Sequence, residues 1–296
     1  MTREHLLLVV LAALWGASYT FIKIGVETIP PVTLIAGRTL IAAALLLALA
    51  CWTGLALPRD AATWWRFLIQ ACLNSAIPFT LIAWGERSVD AGLATVLNST
   101  APIFTFLLTA VVTRHESVTV RKLFGVACGI VGVCLIVGVE ALSGLGQQLA
   151  GRQLLAPIAI VAATICYAGA AIFGKTFKEL HPVLPAAGSL VCGAAILIPA
   201  SLVIDQPWTL APSRGSVLAL IGLSVFSTAL ALVIYFRLVH TLGSVGVTSQ
   251  AYLRVPIGVA IGMAVLGETL TLPAWIGLAC VVVGVAAMTL PDRAAH

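Results

Sequence analysis

The sequence predicts an all-α integral membrane protein of ten transmembrane helices in two inverted five-helix repeats. Three observations carry that prediction. Of 296 residues, 60% are hydrophobic and 9% charged, with a mean hydropathy of +1.10, whereas a soluble domain is about one quarter charged. Apolar runs of roughly 20 residues recur between short polar clusters, each long enough to cross a hydrocarbon core of about 30 Å as a helix. Laid on itself at an offset of 152 residues, the chain matches its own first half.

The runs fall at 5–26, 32–52, 66–85, 91–113, 121–140, 153–174, 184–204, 215–237, 245–266 and 272–290. The first opens like a secretory leader, with Arg3 before small residues in LAALWGAS, but it continues through Tyr19 and Phe21 and nine further runs follow. The third and eighth are diluted by polar residues, Asn74 and Ser75 in one, Ser224, Ser227 and Thr228 in the other. The fourth and ninth carry Pro102 and Pro256. The fifth and tenth are glycine-rich at Gly125, Gly129, Gly277 and Gly284, which lets helix backbones approach closely. The 7 cysteines lie in or at the ends of apolar runs with no C-x-x-C pair, as packing residues do.

Lys and Arg are held on the cytoplasmic side during insertion. With the N-terminus inside, ten basic residues, Arg59, Arg121 and Arg237 among them, lie on that side, and four, Lys23, Arg87, Arg152 and Arg214, lie outside. This places the chain in the cytoplasmic membrane with both termini inside, and it assigns the net charge of +5 to topology rather than to nucleic acid.

At the offset of 152, LFGVACGIVGV (123–133) falls on WIGLACVVVGV (275–285), Trp15 on Tyr167, Lys23 on Lys175 and Pro30 on Pro182. At 154, Gly92 falls on Gly246 and Pro102 on Pro256. The halves are 1–140 and 153–296, joined by a loop at 141–152. Five spans is an odd number, so the second half enters the membrane the other way up. Inverted repeats of this kind suit transporters, because two similar halves can exchange conformations and open a central site to either side.

GETLTLPAWIGLACVVVGV (267–285) closely resembles the Gly-Glu-centred signature of the EamA family, in the drug/metabolite transporter superfamily. LAALWGASYTFIKIG (11–25), the Ala101-Pro102 pair and RHESVTVRKLFGVACGIVGV (114–133) are similar to its other recurring stretches, with His115-Glu116 where the family more often has Gly-Glu. The resemblance implies a central cavity lined by spans 1–4 and 6–9, with spans 5 and 10 to the side. It also implies carriage of amino acids, other metabolites or drugs, commonly outward; the chain looks most like the bacterial amino-acid exporters.

Cavity residues should be polar or aromatic groups ill-suited to lipid. Trp15 sits about 15 Å inside span 1, with Ser18 and Tyr19 on its face at i+3 and i+4. Tyr167 occupies the matching place in the other half. Asn74 offers more hydrogen-bonding capacity than one backbone carbonyl satisfies, and Ser75 and Pro78 flank it. TVLNSTAP (95–102) pairs with SQAYLRVP (249–256), setting Asn98 against Tyr252 and Thr100 against Arg254. Both prolines free a carbonyl and predict bent helices. Thr248, Ser249 and Tyr252 join the candidate cavity residues, whereas Arg254, close to mid-membrane on another helix face, reads with Pro102 and Pro256 as structural or gating. Arg38, a turn or two inside span 2, is expected to snorkel to the outer interface.

No acid lies near a span centre, which points to a gradient-driven facilitator rather than a buried carboxylate relay. The sequence has no phosphate-binding P-loop and no G-x-S-x-G or H-E-x-x-H motif. The expectation is therefore a non-enzymatic carrier of small amphipathic metabolites, foremost neutral or aromatic amino acids. It needs no cofactor or metal, and a monomer suffices. A drug efflux carrier, a membrane-embedded enzyme and a channel are the rival readings.

Overall fold

The computed structural model describes residues 3–108, 120–137, 150–177, 179–235, 237–238 and 250–289. Among them the regular structure is helical: α1 (Arg3–Gly25), α2 (Pro31–Trp52), α3 (Ala61–Gly85), α4 (Ala91–Asn98), α5 (Ala101–Leu108), α6 (Val120–Val137), α7 (Ala150–Gly174), α8 (Val183–Ile204), α9 (Arg214–Tyr235), α10 (Gln250–Leu266) and α11 (Leu272–Thr289). Local chemistry sets several starts. Pro31 opens α2 with a preset φ and no N–H to satisfy. The Asp60 carboxylate accepts from the Thr63 N–H at 2.7 Å to cap α3, and these bonds hold its pKa below the usual carboxylate range. Ser213 accepts from the Ser216 N–H at 3.1 Å to cap α9.

Six of these helices are long and apolar enough to cross a membrane; at 22 residues α2 is about 33 Å long. Span 4 is divided between α4 and α5, while α6, α10 and α11 supply the remaining spans. α7 already begins at Ala150, inside the segment read as a loop. Exposed Leu45, Ile130, Val203 and Leu218 cover the outside, as a lipid-facing surface requires.

The packing follows a two-fold plan. α1 packs on α9 and α10, and its counterpart α7 packs on α3, α4 and α5. α2 meets its own counterpart α8, α4 meets α10, and α6 meets α11. The last pair shows the symmetry atom by atom. A β-carbon on Gly132 would stand 2.7 Å from the Gly277 carbonyl oxygen, and one on Gly284 would stand 2.6 Å from that of Gly125. Glycine at these places allows backbones to touch where lipid gives no hydrophobic drive.

Spans 3 and 8 share a second irregularity. Cys72–Ala76 within α3 and Val225–Leu230 within α9 widen into π-helical turns. In α3 the cause is legible: Pro78 has no N–H for the Asn74 carbonyl, and the Ile77 N–H reaches back to Cys72 instead. Of the two proline-bearing spans, span 4 is interrupted by a turn at Ser99-Thr100, just before Pro102, whereas α10 carries Pro256 inside a continuous helix. Packing against α1 accounts for the continuity, since a β-carbon on Gly16 would lie 3.1 Å from the Gly258 nitrogen.

Candidate functional site

The middle of the bundle holds a polar and aromatic cluster. Tyr19 on α1 and Asn98 at the last turn of α4 are both buried, and the Asn98 amide donates to the Tyr19 hydroxyl. The Asn98 Oδ1 finds no partner among the described residues, so one acceptor remains available there. The break after Asn98 matters, because a short α4 ends where its final side chain can turn inward. Tyr167 on α7 lies with its ring 6.4 Å from that of Phe79. Its electrostatic neighbours are Tyr19, Arg38 and Arg254.

Arg38 departs from expectation. Instead of snorkelling it is buried at 6% exposure, donates from Nε to Thr228 Oγ1 at 2.9 Å, and lies 3.7 Å over the Phe79 ring. Neighbouring helices supply these partners closer than the interface, and a cation over a desolvated ring gains about 2 kcal/mol. Arg254 is half-buried on α10, the helix that packs on both α1 and α4. Its charge reaches both Tyr19 and Tyr167, and its Nε has no partner among the described residues. One buried cation, Arg38, therefore lies against the rings of this cluster through Phe79.

The other candidates divide. Trp15 shares a helix face with Tyr19 but packs elsewhere, 5.5 Å from the Tyr235 ring and among Leu11, Leu14 and Leu253. Ser18 donates to the Trp15 carbonyl at 2.7 Å, and Ser75 to the Ala71 carbonyl at 3.1 Å, so both hydroxyls serve their own helices. Asn74 is half-buried in the π-helical turn, and Pro78 is buried just beyond it. Thr248 and Ser249 lie outside the described residues. Tyr252 and Pro102 fall in helices by their backbones, but their side chains lie outside the described set; Pro256 is exposed. Sequence reasoning missed Phe79, Thr228 and the inward turn of Arg38. An arginine inside a span was the available signal.

A second cluster closes one end of this interior. Gly267 takes φ +68°, turning the chain out of α10 so that Glu268 lies back against the first repeat. The Glu268 carboxylate accepts from the Ala91 N–H at 2.6 Å and the Gly92 N–H at 2.8 Å. It thus caps α4 from the other half of the molecule, where the helix dipole also favours negative charge. A β-carbon on Gly262 would stand 2.5 Å from Glu268 Oε2, so glycine makes room for the clasp. Lys23 donates to the Val89 carbonyl at 2.7 Å and lies 3.9 Å from Asp90. Beside them Glu86 is wholly buried at 0% exposure. Glu86 does sit at a helix end, as its position in the chain suggests, yet it is a buried acid all the same. The expectation that no acid lies near a span centre is unaffected by it, because Glu86 stands just past the end of α3. Glu116, the counterpart of Glu268, lies outside the described residues.

Residues 2–138 and 154–290 each match the EamA-like transporter family. An uncharacterized inner membrane transporter of Escherichia coli (strain K12), YedA, is 28% identical over 94% of this chain and 87% of its own length. An uncharacterized transporter of Bacillus subtilis (strain 168), YoaV, is 23% identical over 96% of each chain. A solved structure described as a crystal structure of protein superposes with a TM-score of 0.65 at 16% identity, covering 99% of both chains, and so shares the fold.

Proposed function

Because the chain belongs to the EamA-like transporter family, a family of membrane carriers rather than enzymes, we propose that it exports small amphipathic metabolites bearing a carboxylate. Neutral or aromatic amino acids are the foremost candidates. What supports this reading is the buried Arg38 over the Phe79 ring, which lies near Tyr167, together with the Asn98–Tyr19 bond and the charge of Arg254 acting on both tyrosines, between two halves related by a two-fold plan. A carboxylate is bound by cationic and amide donors, while the aromatic rings accept an apolar side chain. Removal of cargo from water makes each charged contact stronger. The same pair of cations disfavours an organic dication.

The carrier resides in the cytoplasmic membrane with both termini inside, and the two repeats exchange conformations to face either side in turn. It is complete as a monomer. Counterflow into proteoliposomes tests the reading, with a panel of labelled amino acids, nucleosides and cationic drugs. Trans-stimulated uptake of an amino acid or another amphipathic carboxylate is the expected result. Uptake indifferent to substrate on the far side, or trans-stimulation confined to cationic drugs, would overturn it.

A further inference from the structure

We propose that Glu86 is a proton-binding site of the carrier, occupied when Glu268 clasps the start of α4 and emptied when that end opens. The proposal rests on the carrier reading and extends it to the ion that accompanies the cycle. Glu86 sits in the turn beyond α3, fully buried, and neither carboxylate oxygen accepts a hydrogen bond from a described residue. An ionised carboxylate in that position is strongly disfavoured, so in this arrangement Glu86 carries a proton.

Its surroundings explain why the proton depends on the clasp. α1 presents Lys23 and Tyr19, and α2 presents Arg38. Asp90 follows Glu86 in the same turn, paired with Lys23. The turn between α10 and α11 presents Glu268, whose negative charge is fixed by two amide donors. On α7 the neighbouring turn meets Ala156 and Ile160, which are apolar; the Arg152 side chain lies outside the described set. Burial pushes the Glu86 carboxyl well above the usual range; Lys23 pulls against it, Glu268 adds to it, and Arg38 pulls against it. Lys23 is engaged with the Val89 carbonyl, which leaves it less able to rescue an ionised Glu86.

Parting Glu268 from α4 removes the nearby negative charge and admits water. Glu86 then loses its proton to water on that side, with Lys23 and Arg38 left to balance the carboxylate. The sign follows from linkage. A group whose pKa is higher in the closed arrangement than in the open one favours closure most at low pH, and this advantage fades as pH rises above the ordinary carboxylate range.

Hydrogen–deuterium exchange of the full-length protein in nanodiscs tests this without any substrate, because the Ala91 and Gly92 amides that donate to Glu268 report the clasp directly. After correction for intrinsic exchange, protection of 91–94 should fall with rising pH, by up to about tenfold per unit for a single linked proton. In Glu86→Gln, protection should stay high and flat with pH; in Glu268→Gln it should be low throughout. Infrared difference spectra should show a protonated carboxyl at neutral pH that Glu86→Gln lacks. A pH-invariant wild type, or the wild-type slope retained in Glu86→Gln, overturns the proposal. Should Glu86→Gln fail to fold, the wild-type pH series still decides, and Glu86→Asp must shift its midpoint. Counterflow reads the carrier claim separately: counterflow with flat protection discards the proton site and keeps the carrier, while titrating protection without counterflow does the reverse.

Discussion

The two repeats place a proline at equivalent points of their fourth spans, yet only the first breaks there. Ahead of Pro102 the α-helix tightens into a turn at Ser99-Thr100, and α4 becomes a short piece clasped at its start by Glu268 and tied at its end through Asn98 to Tyr19. Across Pro256, α10 stays helical, pressed against α1 where Gly16 and Gly258 meet and against α4 where Gly258 meets Thr95. Proline offers a break, and the neighbours decide whether it is taken. One half thus supplies a short helix held at both ends, and the other a continuous helix that carries Arg254.

That division can be broken by substitution. Arg38→Ala removes a buried cation held by Thr228 and Phe79. A charged contact is worth about 1.5–3 kcal/mol, so counterflow should fall roughly 10- to 100-fold, with Arg38→Lys recovering part of it. Next come Tyr19→Phe and Asn98→Ala, each expected to lower transport several-fold, as the loss of about 1 kcal/mol implies. Because they share one bond, the double variant should lose little more than either alone. Equal and additive losses would show that the two side chains act apart.

Packing gives smaller and more localised effects. A β-carbon on Gly258 would stand 2.7 Å from Thr95 Cγ2, so Gly258→Ala should cost about 1–3 kcal/mol in a thermal or detergent unfolding assay. At Gly169 the nearest atom would be 3.6 Å away, and Gly169→Ala should be neutral or slightly stabilising. The smallest effect is expected of Ser18→Ala: its hydroxyl serves the Trp15 carbonyl, and counterflow should stay within about twofold of wild type.

Much of this plan is legible in the chain. Composition and run length reveal the spans, and the offset of 152 exposes the duplication, down to the glycines that meet between α6 and α11. Tyr19, Asn98 and Tyr167 stand out because lipid is a poor neighbour for them. What escapes is whatever depends on a partner far away in sequence. The position of Arg38 gives its depth but not that Thr228 and Phe79 wait beside it, 190 residues away in the first case. Trp15 and Tyr19 share a face, yet Trp15 meets Tyr235 on α9 while Tyr19 meets Asn98 on α4. Glu86 reads as a loop acid, because burial is made by α1, α7 and the turn bearing Glu268, none of them local. The Gly-Glu pair at 267–268 is visible as a motif, while its purpose, a turn at positive φ that delivers a cap to the other repeat, appears only in three dimensions.

Locking the clasped end tests alternating access most directly. A β-carbon on Gly92 would lie 3.6 Å from the Val259 Cα and 3.1 Å from Glu268 Oε2, so Gly92→Cys and Val259→Cys can be joined by a disulfide in a background otherwise free of cysteine, with the reduced pair as the control for crowding of the clasp. With labelled phenylalanine as the probe, counterflow should stop when the pair is oxidised and return on reduction. Full-rate counterflow through completely cross-linked protein would contradict the account.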